Sequence, residues 1–235
     1  MDGRKQKERG IADMKTVVYL ATKNLYRQAA ACINSCLQNG NVDEVYILTE
    51  GGFKMDGVKE IDVSGQTFFP KDNVNARKRW TWMALMKTAM TEIFPDKDKV
   101  LILDCDTIVE HDISSMWEEN IDYYGAVRQY GDGRQGRFTT GYYYNVGVLM
   151  CNLKKLRDGT EAEIRRLLNE KDYTYPEQDC INEVCRDHIT SLPSRYNYCP
   201  FTIDDGQVYI RHFAALPEWV DGYWFKKYEV TDGSL

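Results

Sequence analysis

Two carboxylates set two residues apart, Asp104 and Asp106, close the most strand-like run in the chain, KVLIL at Lys99–Leu103. Alternate residues of an extended chain face one side, so both carboxylates can converge on a point. Carboxylates that close repel each other unless a cation neutralises them. Mg²⁺ or Mn²⁺ does so through oxygen ligands and keeps coordination positions for substrate phosphates. A pair of solvated turn residues is the plain alternative for an Asp-x-Asp, and the buried run before it weighs toward the ion. His212 follows a second apolar stretch, Val208-Tyr209-Ile210. An imidazole added to two carboxylates makes a three-ligand set with room for two phosphate oxygens. A structural histidine at a strand end is the competing reading. His111 and His188 have no comparable context.

The same stretch carries another meaning. Leu103-Asp104-Cys105-Asp106-Thr107-Ile108-Val109 fits the DxDxT motif of haloacid dehalogenase-like phosphatases, in which the first Asp is a nucleophile and the second an acid/base. That motif usually sits on the first strand. Here about a hundred residues precede it, and the distal GDxxxD-type motif is missing.

These groups need a frame. Residues 16–21 (TVVYLA) read as a strand covered on both faces. Tyr26, Ala29, Ala30, Ile33, Cys36 and Leu37 recur at helical spacing until Asn39-Gly40. Further strands fit residues 44–49, 58–63, 99–103, 125–128, 145–151 and 207–212. One long helix is marked by Ala76, Trp80, Met83, Met86, Met90 and Ile93, ahead of Pro95. Shorter helices fit residues 162–168 and 178–186. Strand-helix alternation predicts an α/β fold, with a mainly parallel sheet flanked by helices and ligands beyond the carboxyl ends of its strands. That rule gathers Ala21-Thr22, Glu50 and Asp104 to Asp106 at one crevice. Residues 131–140 (GDGRQGRFTT) read as a mobile loop.

The 235 residues suffice for one domain, expected over residues 15–235, behind a flexible basic tail at 1–14. A net charge of -6 disfavours nucleic acid as a partner. Seven cysteines, an odd number without a CxxC pair, point to a reducing, cytoplasmic setting. No apolar run reaches the roughly 18 residues of a spanning helix, and no transmembrane segment or signal peptide is expected. Oligomeric state is not legible.

Five segments in order resemble glycosyltransferase family 8, the glycogenin and lipopolysaccharide galactosyltransferase group. They are VYLATKNLY at 18–26, KDKVLILDCDTIV at 97–109, YNVGVLMCNL at 144–153, EQDCIN at 177–182 and RHFA at 211–214. The resemblance implies a single GT-A (Rossmann-like) domain with a mixed, mostly parallel sheet. It implies a retaining, metal-dependent hexosyltransferase that moves glucose or galactose from a UDP-sugar to a saccharide or other hydroxyl acceptor. Asp104, Asp106 and His212 would hold Mn²⁺ (or Mg²⁺) against the donor diphosphate. Ala21, Thr22, Asn24 and Tyr26 would take base and ribose, with Cys105 also on the donor. Tyr26 is equally the first position of a helix. Lys87 aligns with a basic donor contact, although a snorkelling surface lysine fits its spacing too. Asn145 and Gly147 would approach the donor sugar, although a glycine at 147 could equally relieve packing in a strand. Gln178 would sit beneath the anomeric carbon. Glu177, where the family usually has Asp, would bond the sugar hydroxyls. The family's C-terminal H-x-x-G-x-x-K-P-W departs here: Ala215 replaces Gly and the Lys is missing, leaving Arg211, Lys226 or Lys227 as substitutes. A catalytically inactive nucleotide-sugar-binding relative shares these features.

Overall fold

The first strand, β1 (Thr16–Leu20), is buried along its whole length and lies between two parallel neighbours. The computed structural model describes residues 10–76, 82–130, 142–214 and 216–231, without the side chain of Pro217. After β1 come α1 (Tyr26–Asn39), β2 (Glu44–Thr49), β3 (Val58–Asp62), α2 (Trp82–Leu85), α3 (Met90–Ile93), β4 (Lys99–Leu103) and β5 (Thr107–Val109). The second half holds β6 (Tyr124–Gln129), β7 (Tyr143–Asn152), α4 (Leu153–Leu156), α5 (Thr160–Glu170), α6 (Pro176–Cys185), β8 (Ile189–Ser191), β9 (Ile210–His212) and α7 (Tyr223–Tyr228).

Seven strands form one sheet in the order β3-β2-β1-β4-β7-β6-β8. The pairings β1–β2, β1–β4, β2–β3 and β6–β8 are parallel, and β7 runs antiparallel to both β4 and β6. The period of two divides each central strand between two cores. Val100 and Ile102 of β4 pack with Met86, Met90, Ile164 and Ile181 on the face covered by α2, α3, α5 and α6. Leu101 and Leu103 pack with Ala29, Ile33, Ile108 and Phe225 on the face covered by α1 and α7. Strands β5 and β9 pair with each other as a separate antiparallel ribbon. Among the described residues no helix is long and apolar enough to cross a membrane.

The expected long helix over residues 76–93 is not continuous. Residues 77–81, with Trp80, lie outside the described residues, and the remainder is α2, a 3-10 turn and α3, broken at Ala89. The cause is tertiary. The buried carboxylate of Glu161 on α5 accepts from Met90 N (3.0 Å) and Thr91 N (2.9 Å), and from the Thr91 hydroxyl. Arg165, one turn on, donates to Thr88 O (2.9 Å). Helix α5 thus satisfies the backbone groups that an unbroken helix would pair internally. The expected last strand shortens to β9, while β5 and β8, three residues each, carry too little pattern to be read. Within the expected tail, Ile11–Asp13 form a 3-10 turn whose Ala12 O accepts from Asp98 N (3.2 Å). The loop expected at 131–140 lies outside the described residues.

Glu44 ties three strands together at the end of the sheet opposite the crevice. Its carboxylate meets buried Lys97, Lys59 Nζ (2.5 Å) and Thr16 Oγ1 (3.2 Å). Burial works against the charge, but the two lysines prevail and bring its pKa from 4.5 down to about 2. Removing it strands the Lys97 charge, so Glu44→Gln is expected to cost about 3 kcal/mol near neutral pH. A depressed carboxylate stabilises the fold above its unfolded pKa and ceases to do so as pH falls through the folded one. Urea titrations of both proteins should therefore show a difference that is full above about pH 4.5 and fades towards pH 2. A difference that widens on acidification contradicts this assignment.

Candidate active site

Strand β4 delivers Asp104 to the carboxyl end of the sheet, level with the end of β1, since Tyr19 pairs with Leu103. Asp104 N donates to Gly147 O on β7 (2.8 Å), and Asp104 O accepts from Thr107 N (3.2 Å) and Thr107 Oγ1 (2.8 Å). That tight turn sends the chain into β5. The register of β5 with β9 sets Thr107 opposite His212, and Phe213 N donates to Asp106 O (2.9 Å). Pairing with β5, a strand unreadable by periodicity, therefore holds β9 and its His212 at the Asp-x-Asp turn. His212 Nε2 lies 3.2 Å from Asp106 Oδ1. One ligand atom each from Asp104, Asp106 and His212 lie within 4.8 Å of one another. Two carboxylates with one imidazole suit a hard divalent ion such as Mn²⁺ or Mg²⁺. The residues present fit such an ion.

The surrounding pocket has a volume of about 380 Å³. Of the residues singled out in the sequence, it gathers Lys87, Asp104, Asp106, Asn145, Gly147, Glu177, Gln178 and His212. Lys87 is not a surface lysine. It is 3% exposed, its Nζ lies 2.7 Å from Asp104 Oδ1 and 3.5 Å from Glu177 Oε1, and it donates to Val146 O (3.3 Å). Burial favours its neutral form, but the carboxylates of Asp104 and Glu177 outweigh that and raise its pKa, so it stays charged. Burial raises the pKa of Glu177, with Lys87 opposing. At His212 burial lowers the pKa, and the Asp106 carboxylate more than reverses it, for a net rise.

Helix α6 is docked on β7 by side chains one turn apart. Gln178 Oε1 accepts from Val146 N (3.2 Å), while Asn182 accepts from Tyr144 N (2.8 Å) and donates to Tyr144 O (2.9 Å). Gln178 Nε2 donates to Tyr143 OH (3.0 Å), which donates to Asp179 Oδ1 (2.6 Å). Gln178 is held at both ends of its amide.

Ala21, Thr22, Asn24, Tyr26 and Cys105 do not line this pocket. Cys105 Sγ donates to Leu20 O (3.2 Å), which ties the end of β1 to the Asp-x-Asp turn. Thr22 Oγ1 donates to Asn24 Oδ1 (2.6 Å). Tyr26 opens α1, with its hydroxyl on Gly51 O (3.1 Å) and its ring edge-on to Phe53. None of the three substitute cations reaches the pocket. Arg211 alternates with His212 along β9, so its guanidinium pairs with Glu110 (2.7 Å) and lies over Trp224, while Lys226 and Lys227 are exposed on α7. Among the described lining residues Lys87 is the one lysine or arginine. Ala215 lies outside the described residues; Ala214, which lines the pocket, holds a left-handed φ of 47°.

Gln129, Tyr175, Phe201, Ala214 and Leu216 also line the pocket. Asn197, wholly buried behind it, bonds His212. Tyr175 sits just ahead of the proline that opens α6, a helix-start signal that could have drawn attention to it. Asn197 and Phe201 lie in irregular chain with no such signal.

Residues 16–214 match the family model described as Glycosyl transferase family 8. The chain is 34% identical over 112 residues to glycosyltransferase GlyE of Streptococcus pneumoniae, which covers 45% of this chain and 25% of that protein. It is 31% identical over 120 residues to a lipopolysaccharide 1,2-glucosyltransferase of Escherichia coli, covering 45% and 35%. General stress protein A of Bacillus subtilis matches at 23% over 208 residues, covering 77% and 72%. The matched stretches thus span between a quarter and about three quarters of these relatives. Among solved structures, galactosyltransferase LgtC in complex with donor and acceptor sugar analogues superposes with a TM-score of 0.69 at 19% identity, covering 86% of this chain and 87% of that one. The GlyE structure gives 0.68 at 20% identity, covering 93% and 61%. These likenesses show a GT-A fold.

Gly147 is a glycine because of His212. A Cβ there would lie 2.2 Å from His212 Cε1 and 2.8 Å from Nε2. The imidazole occupies the space that a side chain at 147 would take, and both residues line the pocket. Gly147→Ala should displace the ring, cost about 1–3 kcal/mol in urea unfolding, and weaken Mn²⁺ binding at least about tenfold, as read from the free-ion signal in electron paramagnetic resonance. Unchanged Mn²⁺ affinity would contradict the role of His212 as a ligand.

Proposed function

Because the chain belongs to glycosyl transferase family 8, we propose that it is a retaining, metal-dependent hexosyltransferase. Its donor is a UDP-sugar, with glucose or galactose as the sugar, and its acceptor a saccharide or another hydroxyl compound. The observation that carries this reading is the convergence of Asp104, Asp106, His212, Lys87 and Gln178 on one pocket at the carboxyl end of β4. Relatives named as a glucosyltransferase and a galactosyltransferase support the choice of sugars. Seven unpaired cysteines, six of them buried, support a reducing, cytoplasmic setting. Residues 15–235 serve as the transferase domain behind a basic tail at 1–14.

Asp104, Asp106 and His212 hold Mn²⁺, which when bound supplies Lewis acidity to the diphosphate leaving group. Lys87 places a fixed ammonium where leaving-group charge develops, and its burial strengthens that effect. Ala21, Thr22, Asn24 and Tyr26 hold base and ribose at the end of β1. Asn145 and Glu177 bond the donor sugar. The side chain of Glu177, a methylene longer than the family's usual Asp, stays within ion-pairing distance of Lys87. Gln178 lies beneath the anomeric carbon as an oriented hydrogen-bonding group. A neutral amide held at both ends is a poor nucleophile, which favours attack and departure on one face. The bond from the anomeric carbon to the diphosphate oxygen breaks, the bond to the acceptor oxygen forms, and the acceptor proton passes to the departing diphosphate.

Release of UDP from UDP-glucose or UDP-galactose, with Mn²⁺ or with EDTA, tests this. UDP is expected with Mn²⁺ alone, and Asp106→Asn should lower its rate at least about a hundredfold. Proton NMR should show that the first-formed sugar keeps the donor's anomeric configuration. A donor that stabilises the protein by about 2.7 kcal/mol at a hundred times its Kd, yet is never cleaved or transferred, would leave a nucleotide-sugar-binding relative. No nucleotide effect under any metal would overturn the reading altogether.

A further inference from the structure

Behind His212 lies a chain of three buried amides, Asn197, Asn145 and Gln129, of which the sugar chemistry above uses Asn145 alone. His212 Nδ1 is 2.8 Å from Asn197 Oδ1. Asn197 Nδ2 donates to Asn145 Oδ1 (2.9 Å), the same oxygen accepts from Gly147 N (2.9 Å), and Asn145 Nδ2 donates to Gln129 Oε1 (3.2 Å). Asn197 is 0% exposed and Asn145 7%. Backbone pairing fixes the position of Asn197: Tyr198 N donates to Ile210 O (2.9 Å), and His212 N donates to Tyr198 O (2.9 Å).

Amide orientations are ordinarily ambiguous, but this chain has a fixed end. A backbone N–H can only donate, so the Asn145 atom facing Gly147 N is its oxygen. The Asn197 atom facing that oxygen must then be a donor, its Nδ2. This turns Asn197 Oδ1 towards His212, and an amide oxygen can only accept. Nδ1 must therefore carry a hydrogen; the Asp106 carboxylate 3.2 Å from Nε2 is an acceptor too and favours a second proton there, and in a neutral ring that keeps Nδ1–H the lone pair of Nε2 lies on the side of Asp106.

We propose that Asn197 is a positioning residue that locks His212 in the Nδ1–H tautomer, so that Nε2 is presented as a ligand for the divalent ion. The metal part of this rests on the function proposed above; the placement of the proton does not. Partners of this kind orient a ligating imidazole, and their loss commonly costs 10–100-fold in metal affinity.

The test uses the full chain with ¹⁵N-labelled histidine, free of metal and at alkaline pH, where long-range proton–nitrogen correlation identifies the protonated ring nitrogen. Mn²⁺ affinity is read separately from the free-ion resonance signal. The wild type should show Nδ1–H. Asn197→Leu, confirmed folded by circular dichroism, should shift His212 towards Nε2–H and weaken Mn²⁺ binding about 10–100-fold. Asn197→Asp still offers an acceptor to Nδ1, so it should keep the tautomer and stay within a few-fold of wild-type affinity, even if less stable. If Asn197→Leu does not fold, the wild type and Asn197→Asp still decide the matter. Nε2–H in the wild type, or an unchanged tautomer and affinity in Asn197→Leu, would overturn the proposal. Nδ1–H in a wild type that binds no Mn²⁺ upholds the orienting role of Asn197 and overturns the metal reading instead.

Discussion

Asp104, Asp106 and Glu177 face one pocket, and within it Lys87 is the permanent cation opposite them among the described residues. Unbalanced carboxylates repel, and this excess has to be held together by the scaffold. Strand β4, buried on both faces, anchors Asp104. The β5–β9 ribbon brings His212 to Asp106, and α6 brings Glu177 to Lys87. Each element approaches from a different part of the chain, so the crowding persists only while the cores on both faces of the sheet stay packed. A divalent cation and a diphosphate are complementary to such a site: the ion offsets the acidic excess, and Lys87 meets the added phosphate charge.

The route from sequence to site ran through β4. A continuous aliphatic run that ends in two carboxylates was legible because burial on both faces leaves an unbroken apolar pattern. The same held for β1, β2, α1 and β7, and hence for the class of sheet. What escaped was set by contacts between distant segments. The break at Ala89 depends on Glu161, some seventy residues away, and no period in residues 76–93 records it. Lys87 was placed on the donor by the family resemblance, while its spacing equally fits a snorkelling lysine, and the fold shows that its neighbours are two carboxylates and a carbonyl.

Gly147 and Asn197 illustrate the limit more closely. The glycine was noticed, for the donor sugar or for packing in the strand: a strand glycine announces that something comes close without saying what, and the His212 ring lies where its side chain would be. Asn197 carried no pattern at all. Its role emerges from hydrogen-bond direction, propagated from one backbone N–H through two side-chain amides to an imidazole. Such polarity is a property of the assembled network. The fold-bearing residues and the metal-ligand candidates were thus readable from local chemistry, and the groups that orient them were not.

Calorimetric titration of UDP into the full chain, in Mn²⁺ and separately in EDTA, tests the central claim most directly, because it asks whether this acidic pocket takes a nucleotide diphosphate through a metal. The account predicts saturable binding in Mn²⁺ and no measurable binding in EDTA. Equal binding in both would contradict it and move the nucleotide away from Asp104, Asp106 and His212.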